Sequence, residues 1–272
     1  MDMKFYEGCT ALITGASSGL GAEFAHQLAP FARHLILVAR RLDRLEALRD
    51  ELQQTHPGLT VFVYGADLTK IEERATFADW LVEQKLKIDF LINNAGHGDR
   101  GHFETAEWSR IQSMIDLNIT ALTHLAHLLL PSMTQTGRAA ILNVSSVASF
   151  FPLPNMAVYS ATKAYVTSLS EAIAIELRPR GITVTALCPG PVPTEFFDVA
   201  RRSPDDETAA HYESMPGFVA TSAEVVRAGL RAVARNKPRT IPNPLLCVAV
   251  GLALVVPFCV TREILRAFAK KL

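Results

Sequence analysis

The sequence carries no excess of charge. Lysine plus arginine comes to 27 and aspartate plus glutamate to 27, so the whole-chain balance gives no argument for a nucleic-acid partner. Cysteine is scarce, and Cys9, Cys188, Cys247 and Cys259 fall at no short paired spacing. That argues against a disulfide frame and for reduced thiols in a cytoplasmic setting. The opening MDMKFYEGCT lacks the apolar run of a targeting segment. Internal repeats and low-complexity linkers are missing as well. What the chain does have is apolar mass: 49% of 272 residues are hydrophobic and 20% charged. That is enough for a sizeable core in one large domain or two small ones.

The apolar mass is laid out in alternation. Residues 9–13, 34–39, 59–64, 88–92, 139–144 and 182–187 read as buried strands. Helical patterns cover 41–54, 71–84, 108–133 and 158–178, and Thr221 opens another, with Glu224 completing a capping box. Strand and helix at this rhythm predict an α/β fold, a parallel sheet with helices on both faces.

The first strand ends at Thr14 and runs into GASSGLGAEFAHQLA. Gly15, Gly19 and Gly21 let the backbone turn tightly and approach a ligand, and the following helix points free N–H groups at it. The spacing differs from the G-x-G-x-x-G fingerprint, and the absence of Gly-Lys-Ser/Thr excludes a triphosphate-binding loop. Arg40 and Arg41 end the second strand. A carboxylate there would hold a ribose diol, whereas an arginine suits a 2′-phosphate; the alternative is that both arginines simply begin a charged helix. Asp67 ends the third strand, placed to accept from an adenine amino group. Asn93-Asn94-Ala95-Gly96 closes the fourth with a turn suited to a cofactor crevice. His97 and His102 have no well-placed third ligand, so a flexible rim is expected there rather than a metal site. Asn118 interrupts an apolar helix. It marks either a local kink whose freed carbonyl holds a water or an amide hydrogen-bonded within the core.

The chemistry-bearing stretch is SSVASFFPLPNMAVYSATK, from Ser145 to Lys163. Ser146 arrives at the end of the fifth strand. Tyr159 and Lys163 are four apart and share a helix face. The lysine charge favours phenolate, which makes the two a proton-transfer pair; the competing reading is a turn serine and a half-exposed helical pair. Residues 150–154, apolar throughout, lie between them and either line a substrate pocket or pack under a loop. The sixth strand feeds the stiff loop Cys188-Pro189-Gly190-Pro191-Val192-Pro193-Thr194, at the strand end where open sheets bind ligands. Beyond it, 190–220 reads as a mobile substrate lid.

Taken in order, these motifs resemble those of the classical short-chain dehydrogenases/reductases over roughly residues 7–239. The resemblance rests on Thr14-Gly15-x-x-x-Gly19-x-Gly21, Asp67-Leu68, Asn93-Asn94-Ala95-Gly96, Asn118, Ser146, Tyr159, Lys163, Pro189-Gly190 and Thr194. It implies a Rossmann-like doubly wound domain of about seven strands over 1–240. It implies an oxidoreductase that passes hydride between a nicotinamide and a carbonyl or alcohol. Asn118, Ser146, Tyr159 and Lys163 would be catalytic. Gly15, Ser17, Ser18, Gly19, Leu20, Gly21, Arg40, Asp67, Leu68, Asn94, Ala95, Gly96, Pro189, Gly190, Val192 and Thr194 would bind cofactor together with Tyr159 and Lys163. The cofactor expected is NADP(H), with NAD(H) as the alternative. Small residues on the 158–178 helix and the family habit imply a homodimer or homotetramer.

Three features depart from the family pattern. Leu20 stands where isoleucine is common, Ser18 where NADP(H) users often carry a base, and the usual glycine-rich ending is replaced by a hydrophobic extension, 241–272. No charged residue falls between Ile241 and Thr261. Pro244 and Pro257 leave a clean helix of only about 18 Å against a bilayer core of about 30 Å. Ile264, Leu265, Phe268 and Leu272 then alternate with Arg262, Arg266, Lys270 and Lys271, a basic amphipathic pattern. The extension is therefore read as packing over the pocket or a partner copy, as a peripheral membrane contact, or as a span. The greasy 150–154 connection and this tail together predict a hydrophobic substrate. A 3-oxoacyl thioester reductase and a non-catalytic cofactor-binding protein are the competing readings.

Overall fold

The structure is a computed structural model that describes residues 2–133, 138–202 and 217–269. Seven strands form one parallel sheet: β1 (Thr10–Thr14), β2 (His34–Ala39), β3 (Thr60–Gly65), β4 (Phe90–Asn93), β5 (Ala140–Val144), β6 (Thr183–Leu187) and β7 (Arg239–Thr240). They lie in the order β3-β2-β1-β4-β5-β6-β7. The chain winds outward from β1 through β2 to β3, then crosses back to β4 and winds the other way. The reversal between β1 and β4 opens a crevice at the strands' carboxyl ends, where such sheets bind ligands.

Period-two alternation explains why the sheet is buried on both faces. Ala11 and Ile13 of β1 and Leu35, Leu37 and Ala39 of β2 enter one core. Helices α1 (Gly19–Leu28) and α2 (Leu42–Thr55) pack there, through Phe24, Leu28, Leu45 and Leu52. Leu12, Ile36 and Val38 point the other way. That second core is covered by α3 (Ile71–Glu83), α5 (Leu122–Met133) and the end of α6 (Ala157–Leu177). Register carries the pattern across the sheet, with Leu12 opposite both Ile36 and Leu91.

The predicted helix over 108–133 is three pieces. It starts as α4 (Trp108–Ile115), widens to a π-turn at Asp116–Ala121 and resumes as α5. Asn118 sits in the widened turn, so the expected kink and the expected core asparagine are the same feature. After β6 come a short α7 (Phe196–Ala200) and then α8 (Ser222–Ala234), opened by the Thr221–Glu224 capping box. Of the segment read as a lid, 190–220, the stretch 203–216 lies outside the described residues. The tail folds as α9 (Pro244–Val255), capped by Asn243, and α10 (Phe258–Ala269).

Candidate active site

Local side-chain bonds hold the crevice open. The Thr14 hydroxyl, at the end of β1, accepts from the backbone N–H groups of Asn94 and Ala95, both at 3.0 Å. Asn94 Nδ2 donates back to the carbonyls of Thr14 (2.9 Å) and Gly15 (3.2 Å). The two strand ends flanking the switch point are thus clamped together, and the expected contact residue Asn94 is a strut for the glycine turn. Gly15 adopts φ +66, and a Cβ there would sit 2.8 Å from Ala95 Cα; one on Gly21 would meet the Gly15 carbonyl oxygen at 2.1 Å. Both positions demand glycine. Ser18 precedes α1 without a side-chain cap, so the first N–H groups of that helix stay available to an anion.

The adenosine end is built from the end of β2, where the Arg40 charge also acts on Asp67. Arg40 is exposed at the end of β2. Its neighbour Arg41 is the residue joined to the glycine turn: Nη2 donates to Ser17 Oγ (3.1 Å) and Ser18 Oγ (2.8 Å). The doublet in the sequence signalled both arginines; the fold shows which of them bonds the loop serines. Asp67 Oδ1 accepts from the Thr69 backbone N–H (3.0 Å) and hydroxyl (2.8 Å). Burial alone would raise this carboxyl, yet the Thr69 bonds hold it below its ordinary value.

At the opposite end Tyr159, Lys163 and Asn118 converge, at 7%, 5% and 1% exposure. The half-exposed helical pair is therefore excluded. Lys163 Nζ donates to the Val144 carbonyl at 2.9 Å. Asn118 Oδ1 accepts from His97 N, while its Nδ2 donates to His97 O (3.0 Å) and Thr162 Oγ1 (3.1 Å). Gly96 separates the two: a Cβ there would lie 2.9 Å from Asn118 Oδ1 and 3.4 Å from Lys163 Nζ. Any side chain at 96 would fill the space through which the amide and the ammonium face each other. Ser146 accepts from the Ala148 backbone N–H at 3.1 Å and lies near enough to the Tyr159 phenol to lower it.

One electrostatic expectation needs correction. The lysine was expected to draw the phenol toward phenolate. Burial instead pushes Tyr159 up to about 12, against a small lowering from Ser146, and pulls Lys163 down to about 8. The ammonium lies 5.8 Å from the ring centroid and is turned to the Val144 carbonyl, so desolvation outweighs their attraction. The phenol is a proton donor across the neutral range.

The rim is also pinned rather than flexible. Asp99, 5% exposed, pairs with Arg110 Nε at 2.9 Å and with the Arg202 guanidinium, whose Nε lies 3.0 Å away. Burial raises the Asp99 carboxyl, but the two arginines outweigh it and hold it low. Arg202 also donates to the His102 carbonyl and Thr105 Oγ1. His97 Nε2 is engaged with Ser113 Oγ at 3.1 Å. Among the described residues no three His, Cys, Asp or Glu side chains come together as metal ligands.

Tyr159 lies in a small apolar cluster with Met114 and Ala148, against Leu153, Met156, Val158 and Phe196. The Phe196 ring is 5.3 Å from the Tyr159 ring. Of the 150–154 connection, Leu153 reaches this cluster, while Phe150 lies under the Arg239 guanidinium instead. The loop after β6 is fixed by the Pro189 carbonyl, which accepts from Val147 N at 2.9 Å, and by buried Val192. Gly190 supports Leu246 of α9: a Cβ there would lie 2.5 Å from Leu246 Cδ2. Thr194 packs on the glycine turn, 3.4 Å from where a Gly19 Cβ would be.

The profile of the short chain dehydrogenase family matches residues 9–205. An uncharacterized oxidoreductase of Myxococcus xanthus is 35% identical over 88% of this chain and 95% of its own. Among solved structures, a short-chain dehydrogenase from Sphingobium yanoikuyae in complex with NADPH is 36% identical, with TM-score 0.76, covering 92% of this chain and 97% of that one. A bulky-bulky ketone specific alcohol dehydrogenase from Comamonas testosteroni is 33% identical, with TM-score 0.71, covering 92% and 95%. Complexes with NADPH, with NADH and with NAD all occur among the matching structures.

Proposed function

Given that the chain belongs to the short-chain dehydrogenase family and is an NAD(P)(H)-dependent oxidoreductase of carbonyl and alcohol groups, we propose that it prefers NADP(H) and acts on a hydrophobic carbonyl compound, chiefly as a reductase. Asn118, Ser146, Tyr159 and Lys163 are its catalytic set. The observation that carries the substrate class is the cluster around Tyr159: a carbonyl brought to that phenol meets Met114, Leu153, Met156 and Phe196. A charged substrate would leave its charge unpaired among them.

Bound nicotinamide supplies the hydride; the protein supplies position and the proton. Tyr159, protonated at neutral pH, donates to the carbonyl oxygen, and Ser146 holds that oxygen by hydrogen bonding. Lys163 places positive charge near the phenol and returns a proton to it. Asn118 braces the His97 backbone and Thr162 around the route from the lysine. Gly15, Ser17, Ser18, Gly19, Leu20 and Gly21 would hold the pyrophosphate end. Asp67, Leu68, Ala95 and Gly96 would border the adenosine and ribose, and Pro189, Gly190, Val192 and Thr194 the nicotinamide. Support for NADP(H) is the arginine pair at the end of β2, with Arg41 already donating to the loop serines.

A thioester carried on an acidic protein is less well supported. The arginines that would greet it are engaged within the chain, Arg201 with Asp198 and Arg202 with Asp99. The protein is further proposed to act in the cytoplasm as a homodimer or homotetramer, with 241–272 touching a membrane surface.

The test is turnover by the purified protein of bulky aromatic and aliphatic ketones, with a short anionic aldehyde for contrast, using NADPH or NADH. The expected result is bulky-ketone reduction with at least a roughly tenfold kcat/KM preference for NADPH. Tyr159→Phe should lose about 10²–10⁴-fold in kcat with its melting temperature unchanged. No turnover anywhere in the panel, with or without detergent, would sink the reading; preferred use of the anionic aldehyde would sink the substrate class.

A further inference from the structure

Glu195 does something the catalytic scheme does not require. It follows Thr194 directly, and its carboxylate reaches across the crevice to the far end of the sheet. Oε2 accepts from Arg41 Nη1 at 2.8 Å and Oε1 from Arg44 Nη1 at 2.6 Å. The same Arg41 guanidinium holds Ser17 and Ser18 of the glycine turn. On one side of Glu195, Thr194 rests against Gly19; on the other, Phe196 lies on Tyr159 and meets Gly98, where a Cβ would be 2.8 Å from Phe196 Cζ. Residues 194–196 therefore form a strap across the crevice, from the ribose end to the catalytic phenol. The arginine contacts are its anchor at the ribose end.

From this geometry we infer that Glu195 is an internal anion that latches the 194–200 strap shut by occupying the arginines a ribose 2′-phosphate would use, so that a phosphorylated adenosine releases the strap by displacing it. The inference rests on the NADP(H) reading. The charges favour the exchange. A phosphate monoester carries about −1.5 to −2 near pH 7 and offers three acceptor oxygens, whereas the carboxylate carries one charge. Both carboxylate–arginine pairs are close to half exposed, the class of ion pair that contributes least and is most easily exchanged. The Arg44 and Arg41 hydrogen bonds hold the Glu195 carboxyl down to about 2, so the latch stays charged throughout the neutral range. Without the 2′-phosphate the ribose offers the arginines only neutral hydroxyls, and the latch stays in place. Glu195 thus becomes a specificity-determining residue whose effect is seen at the strap, away from the adenosine itself.

The probes are adenosine 2′,5′-bisphosphate and ADP, which reach only the adenosine end. Their affinities for the wild type, Glu195→Gln and Glu195→Asp would be measured by calorimetry, and amide hydrogen exchange followed over 194–200. In Glu195→Gln the bisphosphate should bind about threefold to tenfold tighter while ADP moves less than twofold; the shorter Glu195→Asp should fall between. In the wild type the bisphosphate should accelerate exchange over 194–200 and ADP should not, and in Glu195→Gln exchange should be fast without either. Unchanged or weaker bisphosphate binding in Glu195→Gln, or a strap whose exchange ignores the bisphosphate, overturns the latch. A wild type that binds ADP as tightly as the bisphosphate overturns the NADP(H) preference itself, and the latch with it.

Discussion

At the level of single residues, the buried cluster proposed as catalytic was legible because its spacing is local: Tyr159 and Lys163 lie one helical turn apart, and Ser146 ends an apolar run. The charge pairs that shape the crevice were not. Arg41 and Glu195 are 154 positions apart, and Asp99 and Arg202 are 103 apart. No local pattern marks either pair, and the fold alone brings them together. Burial was equally invisible, and it controls Lys163. Folding lowers this lysine from 10.5 to about 8. Below pH 8 both folded and unfolded states carry the proton, and the fold bears the full cost of a buried charge. Between about 8 and 10.5 the folded state releases the proton while the unfolded state keeps it, so this group's contribution to stability rises with pH across that window. Lys163→Met removes the cost. It should stabilise the protein at pH 7 by on the order of 1–3 kcal/mol, with the advantage vanishing toward pH 10.5, while turnover falls at least about 100-fold. Cys9 and Cys188, which burial pushes up to about 12 and about 11, favour the opposite slope. Cys9 is common to both proteins and cancels in the difference; Cys188, whose charge acts on Lys163, stays a neutral thiol in the folded protein over the pH range of the melts. Paired thermal melts from pH 6 to 10 check it; a variant less stable than wild type at pH 7 with the same pH slope would refute the assignment.

At the level of elements, six strands and the long helices announced themselves through period-two and helical patterns, within a residue or two at their ends. β7 did not, because Arg239–Thr240 is two residues long and its pairing to β6 comes entirely from the sheet edge. The π-turn around Asn118 was readable only as a polar residue in the wrong place. α6 has a second surface that the single chain leaves unused. Ala161, Ala164, Ser168 and Ala172 are exposed along one side, with Tyr165 and Ile175 beside them. Small side chains let a helix from another copy approach closely, and the apolar neighbours reward it. If this is the subunit contact, Ala164→Arg places a long charged side chain in a seam with no room for it. Light scattering should then report a wild type of at least two subunits and an Ala164→Arg monomer with an unchanged melting temperature at low protein concentration. A variant that keeps the wild-type mass would show that assembly uses another surface.

At the level of the whole molecule, the open question is what covers the C-terminal extension. Its inner side belongs to the body: Leu246 sits on Gly190, Val250 is buried, and Asn243 Nδ2 donates to the Gly217 carbonyl at 2.9 Å. Its outer side does not. Leu245, Val248, Leu252 and Val255 are all more than half exposed, at spacings of three, four and three that put them in one stripe. α9 and α10 meet at 114°, which suits two segments lying along a surface better than one crossing a bilayer. The one unbent helical run among the described residues that is long and apolar enough to cross, Trp108–Met133 with its π-turn, is the one that carries the buried Asn118. An apolar stripe followed by Arg262 and Arg266, which share the exposed Glu263 and exceed it by one charge, fits an anionic lipid surface chiefly through apolar burial, with a smaller charge attraction that salt weakens. The extension would then couple two tasks through its two sides. Leu252→Glu changes only the outer stripe. It should abolish co-sedimentation with vesicles containing anionic phospholipid while leaving turnover of a water-soluble ketone within about twofold. Deleting 241–272 also removes Leu246 from Gly190, and should cost turnover as well as vesicle binding. If Leu252→Glu halves the solution mass and leaves vesicle binding intact, the stripe faces a second copy of the chain and the membrane contact is wrong.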